Sequence, residues 1–237
     1  MKEPQAIPYR GISLFFILVM AIVTWGFYKT YIVFFPSFTG FNNLHHFHGA
    51  MMTTWMAFLI IQPLLIRSGR ITIHRAVGKL SYIIAPLLVV SIFLMSRMVY
   101  QKPEAGVTHE QKIAMLALSV PFLVGFVVFY SLAIMNRKIT YRHMRYMVAT
   151  SFLMISPGLG RALIIYYRFS LQDAVNYSNY LVMAIAGALL INDIMKKRDY
   201  SPFAVVLVVF ILMHLAWNFR DSTVWQFIGE AFANVFF

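Results

Sequence analysis

The chain has no cysteine among its 237 residues, which excludes disulfides, thiolate metal sites, iron–sulfur clusters and cysteine nucleophiles. Acidic residues are scarce as well. Eight Asp and Glu stand against 20 Lys and Arg, a formal charge of +12. Only Asp193 falls near an apolar run, which leaves too few carboxylates for a di-iron site or for a proton path through a membrane. Charged residues are 12% of the chain, against 60% hydrophobic and 16% aromatic. That balance excludes an ordinary soluble domain and points to an integral membrane protein. The excess of Lys and Arg sits in short runs between apolar blocks, as in the loops of membrane proteins, so no nucleic-acid partner is predicted.

Seven apolar segments follow one another: Ile12–Phe35, Gly49–Ile66, Leu80–Met98, Ile113–Met135, Tyr146–Tyr167, Tyr180–Met195 and Pro202–Phe219. Most approach the roughly 20 residues that a helix needs to cross a bilayer, and they are too long and continuous for barrel strands. The lead MKEPQAIPYRG resembles the charged start of a secretory signal, but the first apolar run is too long for one and no small-residue cleavage site follows, so it is predicted to stay as an anchor. An all-α bundle of seven transmembrane helices in a single domain is the predicted fold.

Loop charge orients the bundle. Arg67, Arg70, Arg75 and Lys79 fill the second loop, Arg137, Lys138, Arg142 and Arg145 the fourth, and Lys196, Lys197 and Arg198 the sixth. The positive-inside rule then places these loops and the N-terminus in the cytoplasm and the C-terminus outside. The aromatic tail WQFIGEAFANVFF is predicted to lie on the outer surface. GRITIHR and RKITYRH, at the starts of the third and fifth segments, echo each other and suggest related hairpins.

This topology sorts the histidines by face. His45, His46, His48 and His109 fall at the outer face and His74 and His143 at the inner one. His214 lies 12 residues into the last span, about 18 Å deep. A b-type haem takes two imidazoles from neighbouring helices at one depth, and two such haems would carry electrons across the membrane. The layout resembles that of the two-haem transmembrane cytochromes b that take electrons from ascorbate. It implies His74 with His143 at an inner haem and His48 with His109 or His214 at an outer one. Against it, the histidines sit at helix starts and His109 lies in a polar run.

A second chemistry uses the outer face alone. His45, His46, His48 and His214 could ligate zinc or copper, with Met51 or Met52 if the metal were Cu(I). Retinal is excluded because the seventh segment has no lysine for the Schiff base. Arg161, after Pro157-Gly158-Leu159-Gly160, is an intramembrane cation that needs a partner such as a haem propionate, a quinone oxygen or a lipid phosphate. Gln62-Pro63 and Asn192-Asp193 mark the inner half as locally polar.

The segment from His48 to Arg161 also resembles a bacterial family of predicted membrane proteins of unknown function. That family has His-Arg-x-x-Gly-Arg at one helix start and His-x-x-Trp-Met at another. Here the first reads His74-Arg75-Ala76-Val77-Gly78-Lys79, with Lys in the last place, and the second His143-Met144-Arg145-Tyr146-Met147, with Tyr for Trp. His48, Gln62 and Arg161 fit the family's remaining polar positions. The resemblance implies a multi-helix bundle and supplies no activity.

The sequence therefore predicts a bacterial cytoplasmic membrane protein in lipid. It would bind haem b through His48, His74, His143 and His214 with Arg161 as countercharge, and exchange electrons with a quinone or a redox partner protein. The competing expectation is a zinc or copper component, or an accessory subunit of a larger complex.

Overall fold

A computed structural model describes residues 9–237; the first eight residues, which include most of the charged lead ahead of the first span, lie outside it. Eight helices follow: α1 Tyr9–Tyr28, α2 Asn43–Arg67, α3 Ile71–Gln101, α4 His109–Met135, α5 Thr140–Tyr167, α6 Leu171–Met195, α7 Ser201–Asn218 and α8 Thr223–Phe236. The first seven are long and apolar enough to cross a membrane. Their outward sides carry exposed Leu14, Ile83, Val124, Ile191 and Leu212, a surface that only lipid covers at no cost. The protein is a multi-pass integral membrane protein.

Helix boundaries differ from the apolar segments because polar caps set them. Asn42 accepts from the backbone N–H groups of Leu44 and His45, and the His45 ring closes the box on Asn42. This draws His45, His46 and His48 into the first turns of α2. Thr108 and Gln111 form the same reciprocal cap on α4, and Ser170 caps α6 well ahead of the predicted Tyr180. A capping side chain satisfies N–H groups that have no partner within the helix, so a helix starts at its cap rather than at its first apolar residue. The first span ends at Tyr28, not Phe35. Beyond it a 3-10 turn, Ile32–Phe34, and the rings of Tyr31, Phe38 and Phe41 form a knot beside His46.

The helices α2, α3, α4 and α5 pack in order, α5 returns to touch α2, and α1 covers that seam between them. The helices α6 and α7 flank α5 and α4 from outside. Each of the four central helices carries one internal proline: Pro63, Pro86, Pro121 and Pro157. The tail helix α8 lies on α4, with the Trp225 indole donating to the Ile113 carbonyl at 3.1 Å.

Small residues let α1 and α5 approach closely, as packing between lipid-soluble helices requires. A Cβ on Gly26 would collide with the Gly158 carbonyl, and one on Gly158 would come within 2.8 Å of the Val23 Cα. Gly187 on α6 has nothing within 4 Å of such a Cβ. Gly26→Val should therefore cost about 1–3 kcal/mol, the usual range for overpacking, and lower the unfolding temperature in detergent. Gly187→Ala should leave it unchanged or raise it.

Candidate functional site

The central helices turn polar side chains inward at helical spacing. On α2, His48, Trp55 and Gln62 stand seven residues apart, nearly two turns each, so they share one stripe about 21 Å long. On α5, His143, Thr150 and Arg161 form a matching stripe, because seven residues are close to two turns and eighteen are five. These stripes meet: the Trp55 indole donates to Thr150 Oγ1 at 3.2 Å. Trp55 is fully buried and packs edge-on against Phe126 and Tyr130 of α4. An aromatic plug thus divides the interior into two polar stations.

One station lies toward the basic loops. His74 and His143 are both the fourth residue of their helices, and the backbone N–H of each makes an opening helical bond, to Arg70 and Ile139 respectively. The echoed turns therefore put two imidazoles in equivalent places. The rings lie within electrostatic reach of each other. His143 Nδ1 meets the Ala133 carbonyl at 2.8 Å, and the Gln62 amide reaches His74. Above them the Ser81 hydroxyl bonds the Gly78 carbonyl at 2.7 Å and the Tyr130 hydroxyl at 3.0 Å.

The other station lies toward the opposite face. His48 Nδ1 meets the Ser91 hydroxyl of α3 at 3.1 Å, and Arg161 is close enough for its charge to act on His48. The Arg161 guanidinium stacks 4.3 Å from the Phe27 ring. It is exposed and makes no hydrogen bond or ion pair among the described residues.

The other histidines go elsewhere. His45 Nδ1 accepts from the Asn42 backbone N–H at 3.3 Å, and the His46 ring bonds the Tyr31 hydroxyl at 2.6 Å. His109 pairs with Glu230 of α8 at 2.6 Å. His214 lies against Tyr180 and Asn218, because α7 packs on α4, α5 and α6 rather than on α2. His48 and His214 are thus not brought together; of the four histidines expected to ligate zinc or copper, His45 and His48 lie within electrostatic reach of each other, while His46 and His214 turn to Tyr31 and Tyr180. Among the described residues no group of three His, Asp or Glu is arranged to hold a metal ion. No family model, curated protein or solved structure matches the chain.

Sequence reasoning missed the best-formed polar contact. Arg145 grips Asp193 with two bonds of 2.6 and 2.8 Å, the side chains being 4% and 1% exposed. The Tyr141 hydroxyl adds a third bond at 2.8 Å, and its ring lies flat on the guanidinium. The spacing of Tyr141 and Arg145, one helical turn, was the available signal. Nearby, Arg142 bonds Asp199 at 2.5 Å. Burial works against the Asp199 charge, but bonds from Ser201 and Arg142 prevail and hold its carboxyl below the ordinary value.

Two outcomes follow from these pairs. Arg145→Met and Asp193→Leu should each cost roughly 3–5 kcal/mol, because each takes from a buried charge its bidentate partner, whereas the double replacement should cost much less than the sum; unfolding of the four proteins in detergent checks this. Asp199 has a folded-state pKa lower than its unfolded one, so its contribution is full above the unfolded value of about 3.9 and vanishes as pH falls through the folded value. The stability advantage of wild type over Asp199→Asn should be flat between neutral and mildly acidic pH and shrink below about pH 4.

Proposed function

We propose that this is a bacterial cytoplasmic-membrane protein, basic loops inside, that binds an amphiphile by an oxygen-bearing headgroup in the station formed by Arg161 and His48. The observation that carries this is Arg161. A guanidinium below the membrane surface, about 9 Å inside the end of its helix, is expensive to keep without a counter-group. Phe27 supplies a cation–π contact that stabilises the charge in part, while the five N–H donors stay available to a carboxylate, a phosphate or a quinone oxygen. His48, held by Ser91, adds a second polar group beside it. Entry from lipid suits an apolar tail, since the surrounding helix faces are apolar.

A second candidate is b-type haem at the basic-face station, supported by His143, whose Nδ1 is engaged by the Ala133 carbonyl and whose Nε2 is left free to ligate. That Nδ1–H to carbonyl bond is the usual support of a ligating imidazole. Electron transfer through two stacked haems finds no such support, because His48 has no second imidazole from another helix beside it.

Binding of a short-chain ubiquinone analogue, of dodecanoate and of phosphatidic acid in detergent micelles, followed by tryptophan fluorescence, separates the candidates. One of the three should bind saturably to wild type and to His214→Ala, and at least about tenfold more weakly, some 1.4 kcal/mol, to Arg161→Gln. Equal binding to wild type and Arg161→Gln, or no saturable binding, would remove the proposal. A Soret band in the purified protein that shifts on reduction and is lost in His143→Ala would establish haem instead.

A further inference from the structure

A groove of about 530 Å³ opens on the lipid-facing side of the bundle, between α1, α2 and α5. It runs along α1 from Ile17 to Tyr28, about 16 Å of helix. Below Ile17 it closes, because α1 and α2 come together where the Ser13 hydroxyl donates to the Ile60 carbonyl at 3.4 Å. Its floor is apolar, formed by Ile17, Met20, Ala21 and Ile60. The groove is therefore as deep as one leaflet, half of the roughly 30 Å of hydrocarbon in a bilayer.

Aromatic and polar groups lie at the other end, toward the membrane face opposite the basic loops. Trp25 and Tyr166 stack there with ring centroids 5.5 Å apart, and the Lys29 ammonium stands 4.8 Å from the centre of the Tyr166 ring. Trp and Tyr rings settle at the level of lipid headgroups, which places Lys29 among the headgroup phosphates. The ring contact holds the ammonium at the mouth of the groove, and a cation at that level attracts anionic lipid. Thr24 lies on the lining one turn below Tyr28, about 6 Å deeper. Its hydroxyl is a donor where the lining turns from aromatic to aliphatic. From the surface inward the groove thus offers a cation, a hydroxyl and an apolar channel. A glycerophospholipid presents the matching order of phosphate, ester carbonyl and acyl chain.

We infer that this groove binds one anionic glycerophospholipid of the leaflet opposite the basic loops, with its phosphate on Lys29, an ester carbonyl on Thr24 and one acyl chain on Ile17, Met20 and Ile60. A helix of a second protein fits less well, because it would cross the whole hydrocarbon layer and the groove ends at its middle. A free fatty acid fits less well too, since it brings no ester for Thr24. The site does not rest on the Arg161 station, whose aromatic contact is Phe27 rather than Trp25 or Tyr166.

The test is quenching of tryptophan fluorescence by tail-brominated lipid, with the full chain reconstituted in phosphatidylcholine vesicles that contain increasing phosphatidylglycerol. Trp25 lines the groove, and Trp25→Phe should remove the component that reports it. Wild type should prefer phosphatidylglycerol over phosphatidylcholine about fivefold, the effect of one lysine near the surface. Lys29→Gln should abolish the preference, and so should Ala21→Phe, which fills the groove from an exposed position. Lys102→Gln, which removes a cation from the α3–α4 loop, should keep it, as should Arg161→Gln. Thr24→Val should weaken binding of the diester lipid about two- to tenfold and leave that of a diether phosphatidylglycerol unchanged. Equal quenching by the two lipids in wild type would overturn the inference. So would a preference that survives in Lys29→Gln or Ala21→Phe, one lost as fully in Lys102→Gln, or equal losses of diester and diether lipid in Thr24→Val.

Discussion

A side chain that carries charge or hydrogen-bonding capacity inside a bilayer must find its partner within the protein or in a ligand, because lipid offers none. The four central helices meet that constraint by turning their polar stripes toward one axis. Most of the groups on it have protein partners: Trp55 with Thr150, Ser81 with Tyr130, His48 with Ser91 and Gln62 with the α3 backbone. Arg161, whose side chain is charged under all ordinary conditions, has only an aromatic face. The closed bonding of the others is what makes its open valence informative.

The hydropathy of the chain carried the helix count, since seven spans need only long apolar runs. The echoed basic turns begin two helices in the same way, so His74 and His143 each stand fourth in their helix. Hydropathy did not carry the pairing of the opposite-face histidines. Depth can be read from counting residues, but rotation and neighbour order cannot. His214 lies at a fair depth to meet His48, yet α7 packs outside α4 and α5, with the ring turned to Tyr180. The seven-residue step from His48 through Trp55 to Gln62 was in the sequence and would have put all three on one side of α2.

Arg145 shows a different reason for illegibility. In sequence it is one more cation in a basic loop, and Asp193 one acid near the end of a span. Their bidentate contact depends on α5 starting at Thr140, far enough back to bring Arg145 inside the helix and against α6. The polar residues that cap or open helices lengthen them beyond the apolar runs, so residues assigned to loops become first-turn residues with fixed directions. The same shift moved His48 from a surface position to a point inside the bundle.

The plug has a consequence for how the two stations can work together. Trp55, Phe126 and Tyr130 close the axis between them, and Trp55 is fully buried, so a hydrated ion moving along the axis would meet aromatic carbon where it needs water. The stations are therefore reached separately, each from its own face or from the lipid beside it. The helices themselves span both: α2 carries His48 and Gln62 at the two ends of one stripe, and α5 carries Arg161 and His143 likewise. A ligand that drew Arg161 away from Phe27 would pull on the same helix that holds His143 against α4. The aromatic contact from Trp55 to α4 is what would resist or transmit that displacement, since α2 and α5 touch each other across the axis only lightly and meet through the Trp55 to Thr150 bond.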